Sequence, residues 1–384
     1  MKKRLTWVLP FMAVLLFVSV AFAGKEGAKP YVVGAFVSVT GPNSTLGTPE
    51  RDTLKMIEAK VNKQGGIHGH PLKVLIEDDG SDNTNAVKAA NKLINQNNVC
   101  ALIGGSGTGP SLAVAPIAEG SGVTQISMAA GLMITNPVKK WVFRVAITDS
   151  IIADKMLSYL SGQKLDKIAV IYDSNAYGTS GRDQLKELAS KYKITIVSQE
   201  AFASTDTDMT VQLTKIRTTG AKAIVCWGTN PGPAQVAKNH QQLGITIPLF
   251  MSHGMANQTF LDQAGAAADG IILPAEKLTI ATQLPGSDPQ RKVLLDYSNS
   301  YQRQYKIPAD QYGGHAWDAL YIVINALGKV GDDRSKLRDE IEKTKNFAGI
   351  AGVFNFSPKD HDGLTSDACA MLKIKAGKWI LLKK

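Results

Sequence analysis

What most constrains this chain is an alternation. Short apolar runs rich in β-branched residues are separated by amphipathic stretches of helical period. Tyr31–Val37 is a continuous apolar run, as expected of a strand buried on both faces. Residues 48–64 place Leu54, Ile57 and Val61 on one helical stripe ending at Gly65-Gly66. Leu72–Ile76 reads as the next strand, and Asn83 and Thr84 stand where they could cap a helix carrying Val87, Ala90 and Ile94. Strands follow at Val99–Ile103 and Val123–Ile126, so the order is βαβαβαβ, which predicts a parallel doubly wound sheet.

The pattern restarts after about residue 145. Strands at 167–172, 194–198, 223–227 and 248–251 alternate with helices near 177–191, 208–218 and 232–243. A long helix over 311–330 carries Ala316, Leu320, Val323 and Leu327 on one face. The chain closes with two β-like runs, 368–374 and 379–382. A lone β-pair needs a sheet to join, so the chain is expected to recross and make both lobes discontinuous. The expected division is 30–145 plus 275–355 for an N-terminal lobe, and 146–274 plus 356–384 for a C-terminal lobe.

The first 23 residues stand apart: Met1-Lys2-Lys3-Arg4, an apolar run to Phe22, then Ala21-Phe22-Ala23 before Gly24, the pattern of a cleaved secretory signal peptide. No cysteine lies at the cleavage point, and no later run reaches the roughly 18 apolar residues of a membrane span. An exported product is expected. The formal charge is +10, or about +7 without the leader's three cations. Lys and Arg are scattered without aromatic-basic alternation, so no nucleic-acid partner is expected. Cys100, Cys226 and Cys369 form no C-x-x-C, and an odd number leaves at least one thiol unpaired.

Catalytic signatures are missing. There is no G-x-x-x-x-G-K-[ST], no G-x-S-x-G and no H-E-x-x-H. Gly104-Gly105-Ser106-Gly107-Thr108-Gly109-Pro110 misses G-x-G-x-x-G at Pro110. His68 and His70 sit in a Gly-rich turn without further ligands at metal spacing, and His361 between Asp360 and Asp362 reads as a solvated turn. Neither an enzyme nor a cofactor or metal site is expected.

The same glycine-rich stretch has a positive reading. It leaves a strand and opens a helix at the edge where ligands of open α/β sheets collect. Free amides, the helix dipole and the hydroxyls of Ser106 and Thr108 would make an anion site there. Ser127–Gly131 follows the next strand and exposes backbone through small residues. In the second half, Tyr177, Thr229 and His253 each follow a strand.

Ordered along the chain are Thr40-Gly41-Pro42, Gln64-Gly65-Gly66-Ile67-His68-Gly69, Asp78-Asp79-Gly80-Ser81-Asp82, Ile103-Gly104-Gly105, Asp173-Ser174-Asn175-Ala176-Tyr177-Gly178, and Ala264-Gly265 with Asp269-Gly270. With them, nearly the whole chain past its leader resembles the periplasmic leucine/isoleucine/valine-binding proteins of ABC importers. The resemblance implies a type I periplasmic binding protein, with two Rossmann-like α/β lobes, three hinge crossings and a ligand cleft. It implies a periplasmic monomer that hands its solute to an inner-membrane permease with a cytoplasmic ATPase. A ligand-sensing subunit for a chemoreceptor or histidine kinase is the other use of that fold.

Carried over residue by residue, the resemblance puts the carboxylate-binding hydroxyl at Thr108, beside Ser106 and Gly107. Backbone contacts fall at Ala129 and Gly131, and an aromatic residue at Tyr177. The departures concern the ammonium end. Gly131 stands where the family has a threonine hydroxyl, and His253 where it has an acid. Leu46 and Thr229 stand at positions that are often aromatic. A buried ammonium without a charged partner typically costs several kcal/mol. An aromatic or aliphatic acid is therefore the expected ligand, with a branched-chain or other hydrophobic amino acid, its charge met by an unaligned acid such as Glu276, as the alternative.

Overall fold

The computed structural model describes residues 28–229 and 231–382; the leader expected at 1–23 lies outside them. Five parallel strands make the first sheet, in the order β2-β1-β3-β4-β5: β1 Tyr31–Val37, β2 Leu72–Asp78, β3 Ala101–Gly104, β4 Thr124–Ser127 and β5 Val142–Arg144. Helices α1 (Ser44–Lys63), α2 (Asn83–Asn91) and α3 (Thr108–Ser121) make its crossovers. Alternation along β1 shows why both faces are covered. Val33, Ala35 and Val37 pack with Leu54 and Ile57 of α1, whereas Phe36 packs with Ala86 and Ala90 of α2 and Val114 of α3.

After β5 the chain passes through α4 (Asp149–Gly162) into the second sheet. That sheet holds β6 Lys167–Asp173, β7 Thr195–Phe202, β8 Ala223–Trp227, β9 Leu249–Met251 and β10 Ile272–Glu276, connected by α5 (Ala176–Leu188), α6 (Thr210–Arg217), α7 (Gly232–Gln242) and α8 (Gln258–Ala264). The chain then returns through α9 (Arg291–Tyr305) to α10 (Gln311–Val330), which packs along α1, and to α11 (Arg334–Glu342). A short hairpin follows, β11 Phe347–Ala348 with β12 Val353–Phe354. The last two strands, β13 Cys369–Lys375 and β14 Lys378–Leu381, join the second sheet antiparallel, in the order β14-β13-β10-β9-β8-β6-β7. This is the recrossing path expected from the terminal β-pair. The expected limit at 274/275 falls inside β10, whose Ala275 and Glu276 still pair with β13.

Several local expectations change. α2 is capped by Asp82, whose carboxylate accepts the Asn85 N–H at 2.9 Å, and not by Asn83 or Thr84. His361 is buried, not solvated: it stacks on Phe143, and its ring nitrogens meet the Val142 carbonyl at 2.9 Å and Glu342 at 3.1 Å. All three cysteines are buried free thiols, and burial pushes Cys100 and Cys369 up to about 12.

Packing is tight where α5 crosses β8. A Cβ placed on Gly181 would lie 2.0 Å from Cε2 of the buried Trp227, whereas one on Gly162, also helical, would meet nothing within 4 Å. Gly181→Ala should therefore cost about 1–3 kcal/mol by overpacking. Gly162→Ala should be neutral or slightly stabilising. Urea denaturation of both variants checks the pair.

Candidate functional site

Between the two sheets lies a cavity of about 500 Å³. Its first wall comes from Asn43 and Leu46 at the start of α1, from Ser106–Pro110, and from Met128–Ala130 after β4. The facing wall comes from Asn175–Tyr177, Thr229, His253 and Gly254, and Tyr312 and His315 from the first turns of α10 complete the lining.

The first wall is organised by a helix start. Gly107 is the N-cap of α3 and supplies no side-chain cap. The first amides of a helix have no intrahelical partner. Pro110 has no N–H, and Ser111 donates back to the Gly107 carbonyl at 3.1 Å, which leaves the turn at Thr108 and Gly109 open. By contrast, the starts of α2, α4, α5 and α10 are closed by side chains of Asp82, Thr148, Asn175 and Asp310. The Thr108 hydroxyl is buried at the cavity wall without a hydrogen-bond partner.

Neighbouring polar groups hold this turn in place. Ser106 lines the cavity, yet its hydroxyl accepts the Ser38 N–H at 2.9 Å and donates to the buried carboxyl of Glu50. It anchors the loop and is not a free donor. Gln125 Nε2 donates to the Gly104 carbonyl at 3.0 Å, and Ser111 meets Ser127 at 2.8 Å. The Ala129 N–H donates to Ser127 Oγ at 3.2 Å, so that amide is spent within the loop. Gly131 does not line the cavity: it packs beneath Thr108, where an added Cβ would lie 2.3 Å from Thr108 Cγ2. Its carbonyl accepts from the Arg144 guanidinium at 2.8 Å.

The cavity lining carries two histidines of opposite character. His253 is buried, and burial, reinforced by His315, lowers its pKa to about 3, so the ring is neutral. Its Nδ1 lies 3.4 Å from the Tyr177 hydroxyl. Gln311 donates to the His253 carbonyl at 3.0 Å, and the Tyr312 hydroxyl donates to the Gly254 carbonyl at 2.7 Å. His315 Nε2 meets Glu276 Oε1 at 2.8 Å. Burial opposes its charge, but the Glu276 carboxylate outweighs that and holds the His315 pKa above the ordinary range. Glu276 sits behind His315 and does not line the cavity.

Thus Leu46, Ser106, Gly107, Thr108, Ala129, Tyr177, Thr229 and His253 meet at one cavity, and Gly131 supports it from below. A family profile described as periplasmic binding protein matches residues 30–378. The chain belongs to the periplasmic binding protein family. A curated relative named Leu/Ile/Val-binding protein homolog 3, from Brucella melitensis, is 24% identical over 387 residues, all of both chains. A leucine-, isoleucine-, valine-, threonine-, and alanine-binding protein from Pseudomonas aeruginosa is 24% identical over 93% of this chain and 92% of its own. The crystal structure of an extracellular ligand-binding receptor from Rhodopseudomonas palustris HaA2 superposes with a TM-score of 0.87 at 27% identity, covering 92% of this chain and 99% of that one. The fold is the type I arrangement, and at family level these proteins bind solutes and are not enzymes.

For this binding protein, the sequence reading missed His315 and Tyr312. Both lie on a helix whose apolar stripe was the stronger signal, and only an alignment or a structure turns them toward the cavity. Among the described residues no group of three or more His, Cys, Asp or Glu side chains is placed to hold a metal ion.

Buried acids crowd the region around the cavity. Burial pushes Asp149 up to about 7, with Ser180, Arg144 and Trp227 pulling the other way, and neither of its oxygens has a hydrogen-bond partner. Asp318 is pushed by burial to about 8, although it accepts the amides of Ile350 and Ala351. Burial also raises Glu50. The folded state therefore keeps protons that the unfolded chain, titrating near its ordinary 3.8, has released. Their effect is absent below about pH 4, and stability should fall as pH rises from there to about 8. Asp149→Asn should flatten that slope, as read from urea midpoints at pH 5, 6.5 and 8.

Proposed function

We propose that this protein is the periplasmic solute-binding component of an ABC importer of the branched-chain amino acid type. It takes a small carboxylate at the start of α3 and closes its second lobe over it for delivery to a membrane permease. The division into a lobe of 30–145 with the α9–α11 return, and a second lobe of 146–276 with the final strands, follows the two sheets. Export to the periplasm rests on the leader-like first 23 residues and on the family.

The observation that carries the ligand reading is the open first turn of α3 beside the unpartnered Thr108 hydroxyl. Unsatisfied amides, a helix dipole and a free hydroxyl converge where an anion is stabilised. Closure would bring Tyr177, Thr229 and His253 over it, by the hinge motion that two-lobed receptors use.

The ammonium of an amino acid finds less support. Among the described residues, Asp82 is the one acid on the cavity lining. It is exposed at the rim, and its carboxylate already caps α2. Glu276 is committed to His315, and His253 is neutral. Pro42, Leu46, Pro110, Met128, Ala130 and Ala146 give the cavity an apolar body. An aromatic or aliphatic acid without an α-amino group fits this lining better than the amino acids named for the Pseudomonas relative.

A thermal-denaturation panel tests the reading. A cognate acid at 100 times its dissociation constant adds about 2.7 kcal/mol of stability. Benzoate-like or short-chain acids should stabilise the protein where leucine and valine do not; the reverse pattern rejects the reading. Thr108→Val should weaken the bound acid by about 1–3 kcal/mol in calorimetric titration, with the fold retained.

A further inference from the structure

His315 has a feature that the carboxylate reading leaves unused. The side chain is 2% exposed and lines the cavity. One ring nitrogen is fixed on Glu276 at 2.8 Å, and the other, Nδ1, is buried with no hydrogen-bond partner. A buried imidazole with one nitrogen anchored and the other unsatisfied carries a desolvation penalty that a ligand atom can remove. Its anchor also fixes ring orientation, much as a second-sphere carboxylate orients a histidine at other sites.

We propose that His315 is a specificity-determining residue that donates its Nδ1–H to an uncharged oxygen at the end of the ligand away from its carboxylate. The solute class is then monocarboxylic acids with an apolar body and a distal hydroxyl or carbonyl. This rests on the carboxylate reading of the α3 turn and narrows it.

Three features set the chemistry of that distal group. First, His315 reaches the cavity from α10 and is tied to Glu276 at the end of β10 in the second sheet, whereas the open amides and Thr108 belong to the start of α3 in the first. Second, a cationic ammonium is repelled by a protonated His315, and a second carboxylate would leave an uncompensated buried negative charge, because Glu276 already balances His315. A neutral acceptor avoids both. Third, His253 has a neutral ring 3.4 Å from Tyr177, a further hydrogen-bonding site for a hydroxyl that accepts from His315.

The charged and titratable groups facing His315 are Glu276 at the end of β10, Asp310 and Asp318 on its own helix and cap, and the neighbouring His253. The acids favour its protonated form, in which Nδ1 is a donor. The preference for an oxygen acceptor should therefore be strongest at low pH and decline as pH rises through the elevated pKa of His315.

Calorimetric titration of the full chain, with paired probes, tests the proposal. Phenylacetate is compared with 4-hydroxyphenylacetate, benzoate with 4-hydroxybenzoate, pentanoate with 4-oxopentanoate, and glutarate serves as the charged-end probe. At least one oxygenated acid should bind tenfold or more tighter than its parent at pH 6. That ratio should shrink at pH 9, fall to near one in His315→Leu, and become less pH-dependent in Glu276→Gln. Parents that bind as tightly as all their oxygenated partners, a preference that survives His315→Leu, or a preference for glutarate would each overturn it while leaving the carboxylate reading intact. If no acid of the panel binds, the α3 site and this inference fall together. Should either variant fail to fold by circular dichroism, the paired ratios and pH profile of the wild-type protein still decide.

Discussion

The uncapped first turn of α3 is the constraint on which the rest of the site depends. A parallel sheet forces each crossover helix to begin at the same edge, so several helix starts gather there. In this protein α2, α4, α5 and α10 close their own starts with Asp82, Thr148, Asn175 and Asp310. α3 begins on Gly107 and stays open. Much of the surrounding polar structure keeps that turn where it is: Ser106 tied to Ser38 and Glu50, Gly104 held by Gln125, Ser111 held by Ser127. The absence of a side chain at Gly131 lets Thr108 settle against the backbone with its hydroxyl unspent.

The histidines of the lining work through electrostatics. Burial strips the charge from His253, whereas Glu276 preserves it on His315. Two residues of one type are driven apart by one neighbouring carboxylate, the usual way a folded protein obtains different chemistry from identical side chains. The buried acids Asp149 and Asp318 lie on the neutral side of their titration over much of the range below pH 7, and burial raises Glu50 as well, which limits negative charge around the cavity.

Much of this was legible before any coordinates. Both doubly wound sheets followed from apolar runs spaced by helical stripes, and the strands at 31–37, 167–172 and 223–227 lie within a residue of where the runs put them. β5 and β10 were not seen. The first is only three residues ending in Arg144, and the second contains Pro274 and ends in Glu276, so neither has the uniform apolar signature of a central strand. α9 escaped because its buried stripe is only Leu294, Tyr297 and Tyr301 in a polar segment. At the site, the glycine-rich turn and Thr108 could be found because a strand-to-helix junction has a local signature. His315 and the burial of His361 could not, since both depend on partners far along the chain, Glu276 and Val142.

Arg144 has a mechanical consequence. Its backbone N–H takes the His361 carbonyl at 3.0 Å, while its guanidinium holds the carbonyls of Ala130 and Gly131 and the carboxylate of Asp362. One buried residue of β5 thereby ties the loop beneath Thr108 to the turn at His361 and Asp362. Deforming the loop beneath Thr108 would require breaking these hydrogen bonds. In the closure proposed above, the loop beneath Thr108 would carry β5 and the Asp362 turn with it as a single plate.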